Sequence, residues 1–221
     1  MNKWSENLYQ YYTQLKPPAL PGSVEWLYPQ RDSEVLKIVQ QFLTKFYADT
    51  NDRTLLLGIN PGRFGAGVTG VNFTAPRQLR AFCQIENSFR DQTELSAEFI
   101  YSVINEYGGA EKFYGKFFIG SVCPLGFVQN GRNLNYYDDK HLLAAVELFI
   151  IESMSELLSF TVNRNKCLCI GGEKNFSYLL KLNEHYAWFK QIIPLPHPRF
   201  IMQYKRKQMK DFVSLYLNAL I

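Results

Sequence analysis

Apolar positions along this chain follow two periods, and each period predicts a different kind of element. In one set of segments, apolar residues recur every three to four positions, as on the buried face of a helix. In the other set, short apolar runs stand between turn-forming residues, as in buried strands. The predicted helices are 4–11, 35–47, 75–91, 94–107, 139–160, 173–182 and 209–220, and the predicted strands are 54–59, 113–123, 167–170 and 191–195.

The order of these segments predicts the fold class. Strands and helices alternate from residue 54 onward, and a Gly, Pro or Asn follows each strand. This alternation is typical of a parallel sheet with helices on both faces. We therefore predict an α/β fold, a three-layer α/β/α sandwich around a mostly parallel sheet of four strands. Because no repeat or linker interrupts the chain, residues 1–221 are expected to form one domain, with residues 1–32 as an N-terminal strap packed on it.

The charge of the chain is concentrated near its end. The formal net charge is only +4, but residues 199–210 contain five basic residues and no acidic one. A local basic cluster is expected for a partner that carries phosphates, such as DNA, although the solvated face of a helix has a similar pattern. The class of partner therefore needs a second observation.

The four cysteines indicate neither a metal site nor a disulfide framework. None forms a Cys-x-x-Cys pair, and Cys167 and Cys169 share one face of a predicted strand, where reduced cysteine packs as a small apolar residue. The N-terminal residues lack the apolar core of a signal peptide, and no apolar run is long enough to span a membrane. We expect a soluble, intracellular and cytoplasmic monomer that uses no metal or cofactor.

A glycine-rich loop follows the first predicted strand of the sheet. Residues 60–73 would lie at the carboxyl end of that strand, where open parallel sheets bind their ligands. Within this loop, residues 65–70 match Gly-x-Gly-x-x-Gly, the dinucleotide-binding pattern. That pattern must turn directly after the strand and open a helix, whereas here several residues intervene and Pro76 follows. A Gly-Lys-Ser/Thr sequence is also absent, so the loop favours a ligand other than a nucleotide cofactor.

Three motifs, in order along the chain, resemble those of a known enzyme family. Residues 58–65 and 69–73 read Gly-Ile-Asn-Pro-Gly-Arg-Phe-Gly and Thr-Gly-Val-Asn-Phe. Residues 123–125 and 131–134 read Cys-Pro-Leu and Gly-Arg-Asn-Leu, and residues 197–199 read His-Pro-Arg. They resemble Gly-Met-Asn-Pro-Gly-Pro-Phe-Gly, Thr-Gly-Val-Pro-Phe, Asn-Leu-Cys-Pro-Leu, Gly-Arg-Asn-Leu and His-Pro-Ser-Pro-Arg of the single-strand-selective monofunctional uracil-DNA glycosylases, the SMUG class of the uracil-DNA glycosylase superfamily.

This resemblance, which runs from about residue 22 to the end of the chain, implies a monofunctional DNA glycosylase. Such an enzyme flips uracil out of single- or double-stranded DNA and hydrolyses its N-glycosidic bond, the first step of base excision repair. Ser121 stands where the family has the asparagine that reads the edge of the base. Its shorter hydroxyl is donor and acceptor at once, which extends the expected substrates to xanthine and hypoxanthine. The alternative is a catalytically inert protein that binds damaged or single-stranded DNA, because Phe73 and the basic cluster suit both functions.

Asn60 and His197 are the expected catalytic residues. Cleavage builds positive charge on the sugar and negative charge on the departing base, so the site needs a held water and a donor beside the base. The amide oxygen of Asn60 is suited to orienting the water, and a ring N–H of His197 is suited to donating to a base carbonyl. Taken alone, Asn60 also fits a cap of the turn before Pro61, and a lone histidine is usually structural.

The remaining expected contacts surround the flipped base and the strand that carries it. Phe73 is expected to stack on the base, although it also fits a core position, and Gly62 to let the backbone approach closely. Phe64 and Ser121 complete the base-binding set. The chain lacks the Ser-Pro of the family's last motif, so the wedge loop is shortened. The expected DNA-binding and wedge residues are Arg199, Phe200, Ile201, Met202, Lys205, Arg206 and Lys207, of which the apolar three also fit a packing corner.

Overall fold

A computed structural model describes residues 3–92 and 94–221 of the chain. In chain order its elements are α1 Trp4–Gln14, β1 Glu25–Leu27, α2 Ser33–Phe46, β2 Arg53–Gly58, α3 Ala66–Thr69, α4 Pro76–Cys83, α5 Leu95–Tyr107, α6 Ala110–Tyr114, β3 Phe117–Ser121, β4 Gly126–Gln129, β5 Arg132–Leu134, α7 Lys140–Leu157, β6 Val162–Ile170, α8 Gly172–Tyr186, β7 Ile192–Leu195, α9 Pro198–Tyr204 and α10 Met209–Leu220. Within the described part of the chain, no helix is both long and apolar enough to cross a bilayer.

Four parallel strands form the central sheet, in the order β3-β2-β6-β7. Leu55 of β2 lies opposite Phe118 of β3 on one side and Cys167 of β6 on the other. All residues of β2 are buried, as its unbroken apolar run predicts for a strand covered on both faces. Cys167 and Cys169 are buried as well. The predicted three-layer α/β/α sandwich with a parallel four-stranded sheet is confirmed.

A buried arginine fixes the start of β2. Arg53 is fully buried, and its guanidinium pairs with both carboxylate oxygens of Asp49 at 2.7 and 2.9 Å. The same group lies 5.2 Å from the ring centre of Trp4 and 4.7 Å from that of Tyr47. Because the charge is paired and hydrogen-bonded, its burial is tolerated. The contact ties α1 to the strand whose far end carries the glycine-rich loop.

A second, smaller sheet was not predicted. β1, β4 and β5 form an antiparallel sheet in the order β1-β4-β5, so the N-terminal strap contributes a strand at residues 25–27. Asn130 and Gly131, predicted to lie in a loop, form the tight hairpin turn between β4 and β5. Their φ angles are 50° and 71°, the left-handed values that an Asn-Gly hairpin turn requires.

Several element boundaries also differ from the prediction. The segment 113–123 is not one strand, because α6 runs through Tyr114 before β3 begins at Phe117. The helix predicted over 75–91 ends at Cys83, where Gln84 adopts a left-handed conformation that stops it. Residues 65–70, the dinucleotide-like pattern, contain only the single helical turn α3. That turn is too short to serve as the helix of a dinucleotide site.

Candidate active site

A cleft of about 450 Å³ opens at the carboxyl ends of β2, β3 and β7. The glycine-rich loop, the segment after β5 and the helix α9 form its walls. The sequence-predicted residues that line it are Asn60, Gly62, Phe73, Ser121, His197, Arg199 and Phe200. The fold thus gathers residues from the three motifs at the edge where parallel α/β sheets bind ligands.

The amide of Asn60 is held at both ends by backbone groups from another part of the chain. Its Nδ2 donates to the carbonyl oxygen of Leu134 at 3.1 Å, and its Oδ1 accepts from the N–H of Tyr136 at 3.1 Å. The contact to its own neighbour Pro61 is longer, 3.4 Å, so capping the local turn is not the main task of this side chain. An amide oxygen has two lone pairs, and the second remains available to orient a water.

A buried polar chain supports this orientation from below. Tyr136 is fully buried, and its hydroxyl donates to Oδ1 of Asn175 at 2.8 Å. The Asn175 amide in turn contacts the carbonyl oxygen of Gly58 at 3.4 Å and the sulfur of Cys169 at 3.3 Å. Asn60 is therefore linked through Tyr136 to the ends of β2 and β6. Tyr136 and Asn175 were not predicted, since neither lies in a quoted motif.

Phe73 occupies a backbone conformation that few bulky residues adopt. Its φ is 52°, in the left-handed region that disfavours large side chains. The ring lies over Gly58, where an added Cβ would approach its Cε2 to 2.7 Å. Its centre is 6.1 Å from that of the His197 ring. Phe73 thus rests on the end of β2 and lines the cleft, the position from which a ring can stack on a base.

His197 is held as the neutral tautomer that carries its proton on Nε2. It caps α9, and its Nδ1 accepts from the backbone N–H of Arg199 at 3.1 Å. Burial, together with the positive charge of Arg199, lowers the pKa of His197 to about 4. A neutral ring that accepts at Nδ1 must have its hydrogen on Nε2. The side chain therefore has one free N–H donor, as the predicted role requires.

The lowered pKa of His197 predicts a loss of stability on mild acidification. The unfolded chain binds a proton at this histidine near pH 6.5, whereas the folded protein does so only near pH 4. Between these values the unfolded state holds more protons, so the free energy of unfolding falls as the pH falls. We expect the melting temperature to drop between pH 6.5 and pH 4 less steeply in His197→Gln than in the unmodified protein. Parallel curves in a thermal melting series would contradict the assignment.

Ser121, at the end of β3, contacts a residue that sequence reasoning missed. Its hydroxyl donates to Oδ1 of Asn72 at 3.0 Å, and both side chains are buried. Both also line the cleft. A signal for Asn72 was present, because it stands where the family motif Thr-Gly-Val-Pro-Phe has proline.

The helix α9 divides the predicted wedge residues between its two sides. Ile201 is 0% and Met202 4% exposed, whereas Phe200 is 46% exposed. A wedge has to enter the base stack, whereas Ile201 and Met202 pack inside the protein. Their predicted role in the wedge therefore gains no support from this packing, and the exposed Phe200 remains the candidate. Tyr204, which was not predicted, is 72% exposed and lines the cleft beside Phe200, with 5.6 Å between ring centres.

The other predicted contacts lie outside the cleft. The structure does not bring Phe64 to its lining, and the guanidinium of Arg63 covers the Phe64 ring at 4.4 Å. Lys205, Arg206 and Lys207 follow α9 as an exposed group. Their exposure suits contacts to phosphates rather than to a base.

Other polar residues of the cleft lining were not predicted, among them Asn133 and Glu94. Asn133 accepts the backbone N–H of Arg63 at 3.2 Å, and its place in the Gly-Arg-Asn-Leu motif was an available signal. Glu94 accepts the N–H of Ser96 at 3.0 Å and lies against Gly65. No local pattern marks Glu94, because only the packing of α5 brings it to the loop. Over residues 3–92 and 94–221, no three His, Cys, Asp or Glu side chains are grouped to hold a metal.

The parallel sheet ends in a cleft that contains a neutral histidine, an asparagine held at both ends and an aromatic ring on which a base can stack. Comparison with known proteins agrees with this site. The model of the uracil DNA glycosylase superfamily matches residues 44–221. The chain therefore belongs to the uracil DNA glycosylase superfamily and is a DNA glycosylase, a hydrolase that acts on DNA. Its structure is similar to the crystal structure of SMUG2 from Pedobacter heparinus, with a TM-score of 0.95 and 41% sequence identity over 99% of this chain and 97% of that one. The predicted resemblance to the SMUG branch is confirmed.

Proposed function

We propose that this glycosylase removes uracil, and also the deaminated purines xanthine and hypoxanthine, from single- and double-stranded DNA. The observation that carries the proposal is the state of His197. Its Nδ1 is occupied by the N–H of Arg199, so its remaining N–H is available to the base. Phe73, whose ring centre is 6.1 Å away, supplies the surface on which that base stacks.

The chemistry follows from these positions. When the bond between C1′ of the sugar and the base nitrogen breaks, its electron pair leaves with the base, and the N–H of His197 stabilises the negative charge on a base carbonyl oxygen. The oxygen of a water then bonds to C1′ and releases a proton to bulk water, and the base anion takes up a proton from bulk water, so that the products are an abasic sugar and a neutral base. The amide of Asn60 accepts a hydrogen bond from that water but takes no proton, so it acts by positioning.

Deaminated purines enter this scheme because of Ser121. A serine in place of the family's asparagine shortens the side chain at the end of β3, which leaves more room on that wall of the cleft. Pyrimidine and purine bases would then contact the same N–H donor of His197 and stack on the same ring of Phe73. We further propose that the protein is a monomeric, single-domain enzyme that acts inside the cell, where its DNA substrate is found.

The decisive experiment uses a single-stranded oligonucleotide with one uracil. Incubation should give an abasic site that alkali converts to a strand break, with no break before alkali. Extruding a base costs a few kcal/mol and costs least in single strands and mismatches, so these should react faster than a matched duplex. Binding without an abasic product would instead support the inert DNA-binding alternative. Xanthine and hypoxanthine oligonucleotides test the wider substrate range in the same assay.

The exposed group Lys205, Arg206 and Lys207 predicts the salt dependence of DNA binding. Replacing all three by glutamine should weaken binding to every sequence and make the plot of log affinity against log salt less steep. Each lost phosphate contact on a single strand reduces that slope by about 0.7, so the triple change should reduce it by roughly 2. Fluorescence anisotropy across a salt series measures the slope.

Three other exposed lysines provide the matched control. Lys37, Lys181 and Lys190 lie outside the cleft lining, and their replacement by glutamine removes the same net charge. If this control variant lowers the salt slope as much as the first, the binding surface is elsewhere.

Phe200 and Tyr204 predict a preference between single and double strands. We propose that these two exposed rings form the wedge that fills the gap left by the flipped nucleotide. Replacing Phe200 by alanine should slow uracil release from a matched duplex about 10-fold more than from a single strand, because only the duplex must be unstacked. Single-turnover rates on both substrates give this ratio.

The variant Ile201→Ala serves as a control that distinguishes loss of the wedge from loss of packing. Because Ile201 is fully buried, its truncation should lower the free energy of unfolding by about 2–5 kcal/mol. The ratio of the two rates should nevertheless stay unchanged. A Phe200→Ala variant with an unchanged ratio would exclude this ring as the wedge.

A further inference from the structure

Asn72 lies on the wall of the cleft, and the scheme above gives it no role. It belongs to the glycine-rich loop, directly before Phe73, and touches Ser121 at the end of β3. The Ser121 hydroxyl donates to the amide oxygen of Asn72 at 3.0 Å. Asn72 is 8% and Ser121 7% exposed, so neither group exchanges this bond freely for one to bulk water. The hydrogen-bonded side chains of Asn72 and Ser121 therefore form a fixed part of the cleft wall that a bound base would face.

This arrangement uses the only hydrogen that the serine hydroxyl possesses. A serine hydroxyl has one O–H donor and two acceptor lone pairs. Because Ser121 donates its hydrogen to Asn72, it presents only lone pairs to the cleft. A base that reaches Ser121 must therefore offer an N–H, and a base with a lone pair at the same place would leave two acceptors facing each other.

We propose, as an extension that rests on the proposed glycosylase function, that Asn72 holds Ser121 as a hydrogen-bond acceptor and thereby selects bases with an N–H on the Watson–Crick edge. Uracil, hypoxanthine and xanthine all carry such an N–H. Cytosine and adenine carry a lone pair at that position, and deamination converts it to an N–H. Asn72 is thus a positioning residue that acts through Ser121 and enables the site to distinguish uracil from cytosine and hypoxanthine from adenine, whereas guanine already carries this N–H and must be excluded by another contact.

The first test measures a preference that a merely structural role would not change. Two single-stranded oligonucleotides are compared, one with uracil and one with cytosine, both on a 2′-fluorinated sugar that resists cleavage. The unmodified protein should bind the uracil strand about 10-fold or more tightly, the cost of one unmade buried hydrogen bond. Ser121→Ala should reduce this preference because the acceptor is lost, and Asn72→Ala should reduce it because the freed Ser121 hydroxyl can turn and donate to the lone pair of cytosine. If either variant keeps the full preference, the proposal is overturned.

The second test is a double-mutant cycle on the rate of uracil release in single turnover. Each of Asn72→Ala and Ser121→Ala should slow release by roughly 10- to 100-fold. If Asn72 acts through Ser121, the double variant should be no slower than Ser121→Ala alone. If the two reductions in rate multiply in the double variant, Asn72 acts independently of Ser121, which would overturn the proposal.

Further variants keep the outcome clear. Asn72→Asp retains an acceptor oxygen for Ser121 and should restore the preference for the N–H, so it replaces Asn72→Ala if the latter does not fold. Ser153→Ala removes another buried serine hydroxyl outside the cleft lining and should leave both readouts unchanged. If the unmodified protein releases no uracil, the proposed function itself fails. If it releases uracil but the cycle shows no coupling, only the role of Asn72 fails.

Discussion

Replacing Asn60 by alanine is expected to slow uracil release by about 10²-fold or more while DNA affinity changes little. Asn60 positions the water that attacks the sugar, and misplacing a reacting group by about 1 Å costs on this scale. Its amide is not free to adapt, because Leu134 and Tyr136 hold both ends at 3.1 Å. Single-turnover rates, with anisotropy for DNA affinity, separate the two effects.

The chain offers a matched control for this change. Asn183 is also held at both ends by backbone groups, those of Phe189, at 2.9 and 2.7 Å, but it lies outside the cleft lining. Asn183→Ala should therefore lower the melting temperature by a similar amount without slowing the reaction. Equal loss of activity in both variants would show that Asn60 has only a structural role.

Asn60→Asp tests the positioning mechanism more sharply. A general base contributes roughly 10²–10⁴-fold, so by that argument alone a carboxylate at this position would give a faster enzyme. The structure predicts the reverse, because the carboxylate cannot donate to the carbonyl oxygen of Leu134 and would repel it. We expect Asn60→Asp to be slower than the unmodified protein at neutral pH. A faster variant would show that the bond to Leu134 is dispensable.

Replacing His197 by alanine is expected to lower the rate of cleavage by about 10²–10³-fold. Losing one preorganised donor to a developing negative charge costs about 2.7–4 kcal/mol of barrier. DNA affinity should change much less, because the charge on the base develops only as the bond breaks. With its pKa near 4, His197 is neutral at physiological pH, so the rate above about pH 6 should show no step from its titration.

His197 also caps α9, and a serine variant separates this role from the chemistry. Serine is a favoured N-cap residue, and loss of a cap costs about 0.5–2 kcal/mol. His197→Ser should thus recover much of the stability that His197→Ala loses, yet remain as slow, since the hydroxyl is too short to reach the base. Recovery of activity in the serine variant would place the importance of His197 in the helix cap.

Local patterns predicted the large elements of this fold well, because helices and buried strands repeat their own hydrophobic spacing. They failed where a strand depends on a distant partner. β4 and β5 are short and partly exposed, and β1, about a hundred positions earlier in the chain, completes their sheet. The aromatic Phe113 and Tyr114 fit a strand as well as a helix by pattern, and only their packing in α6 decides between them.

For the candidate site, the motifs indicated which residues matter more reliably than what each one does. Asn60, Phe73 and His197 all line one cleft, as their positions after strands predict. Phe64 does not, because its ring is covered by its neighbour Arg63. Ile201 and Met202 could not be told from Phe200 in the sequence, since three successive apolar residues on a helix face different directions that only the packing of α9 assigns.

The glycine-rich loop illustrates the difference between what the amino-acid sequence predicts and what the folded structure adds. From the amino-acid sequence alone it follows that residues 60–73 come after a buried strand, that they belong with His197 in a SMUG-like glycosylase, and that the dinucleotide-like pattern lacks its helix. The folded structure was needed to assign donors and acceptors: the proton of His197 on Nε2, the Asn60 amide held by Leu134, and the Ser121 hydroxyl directed at Asn72. These directions depend on partners that are brought together by folding, and no local spacing of residues encodes them.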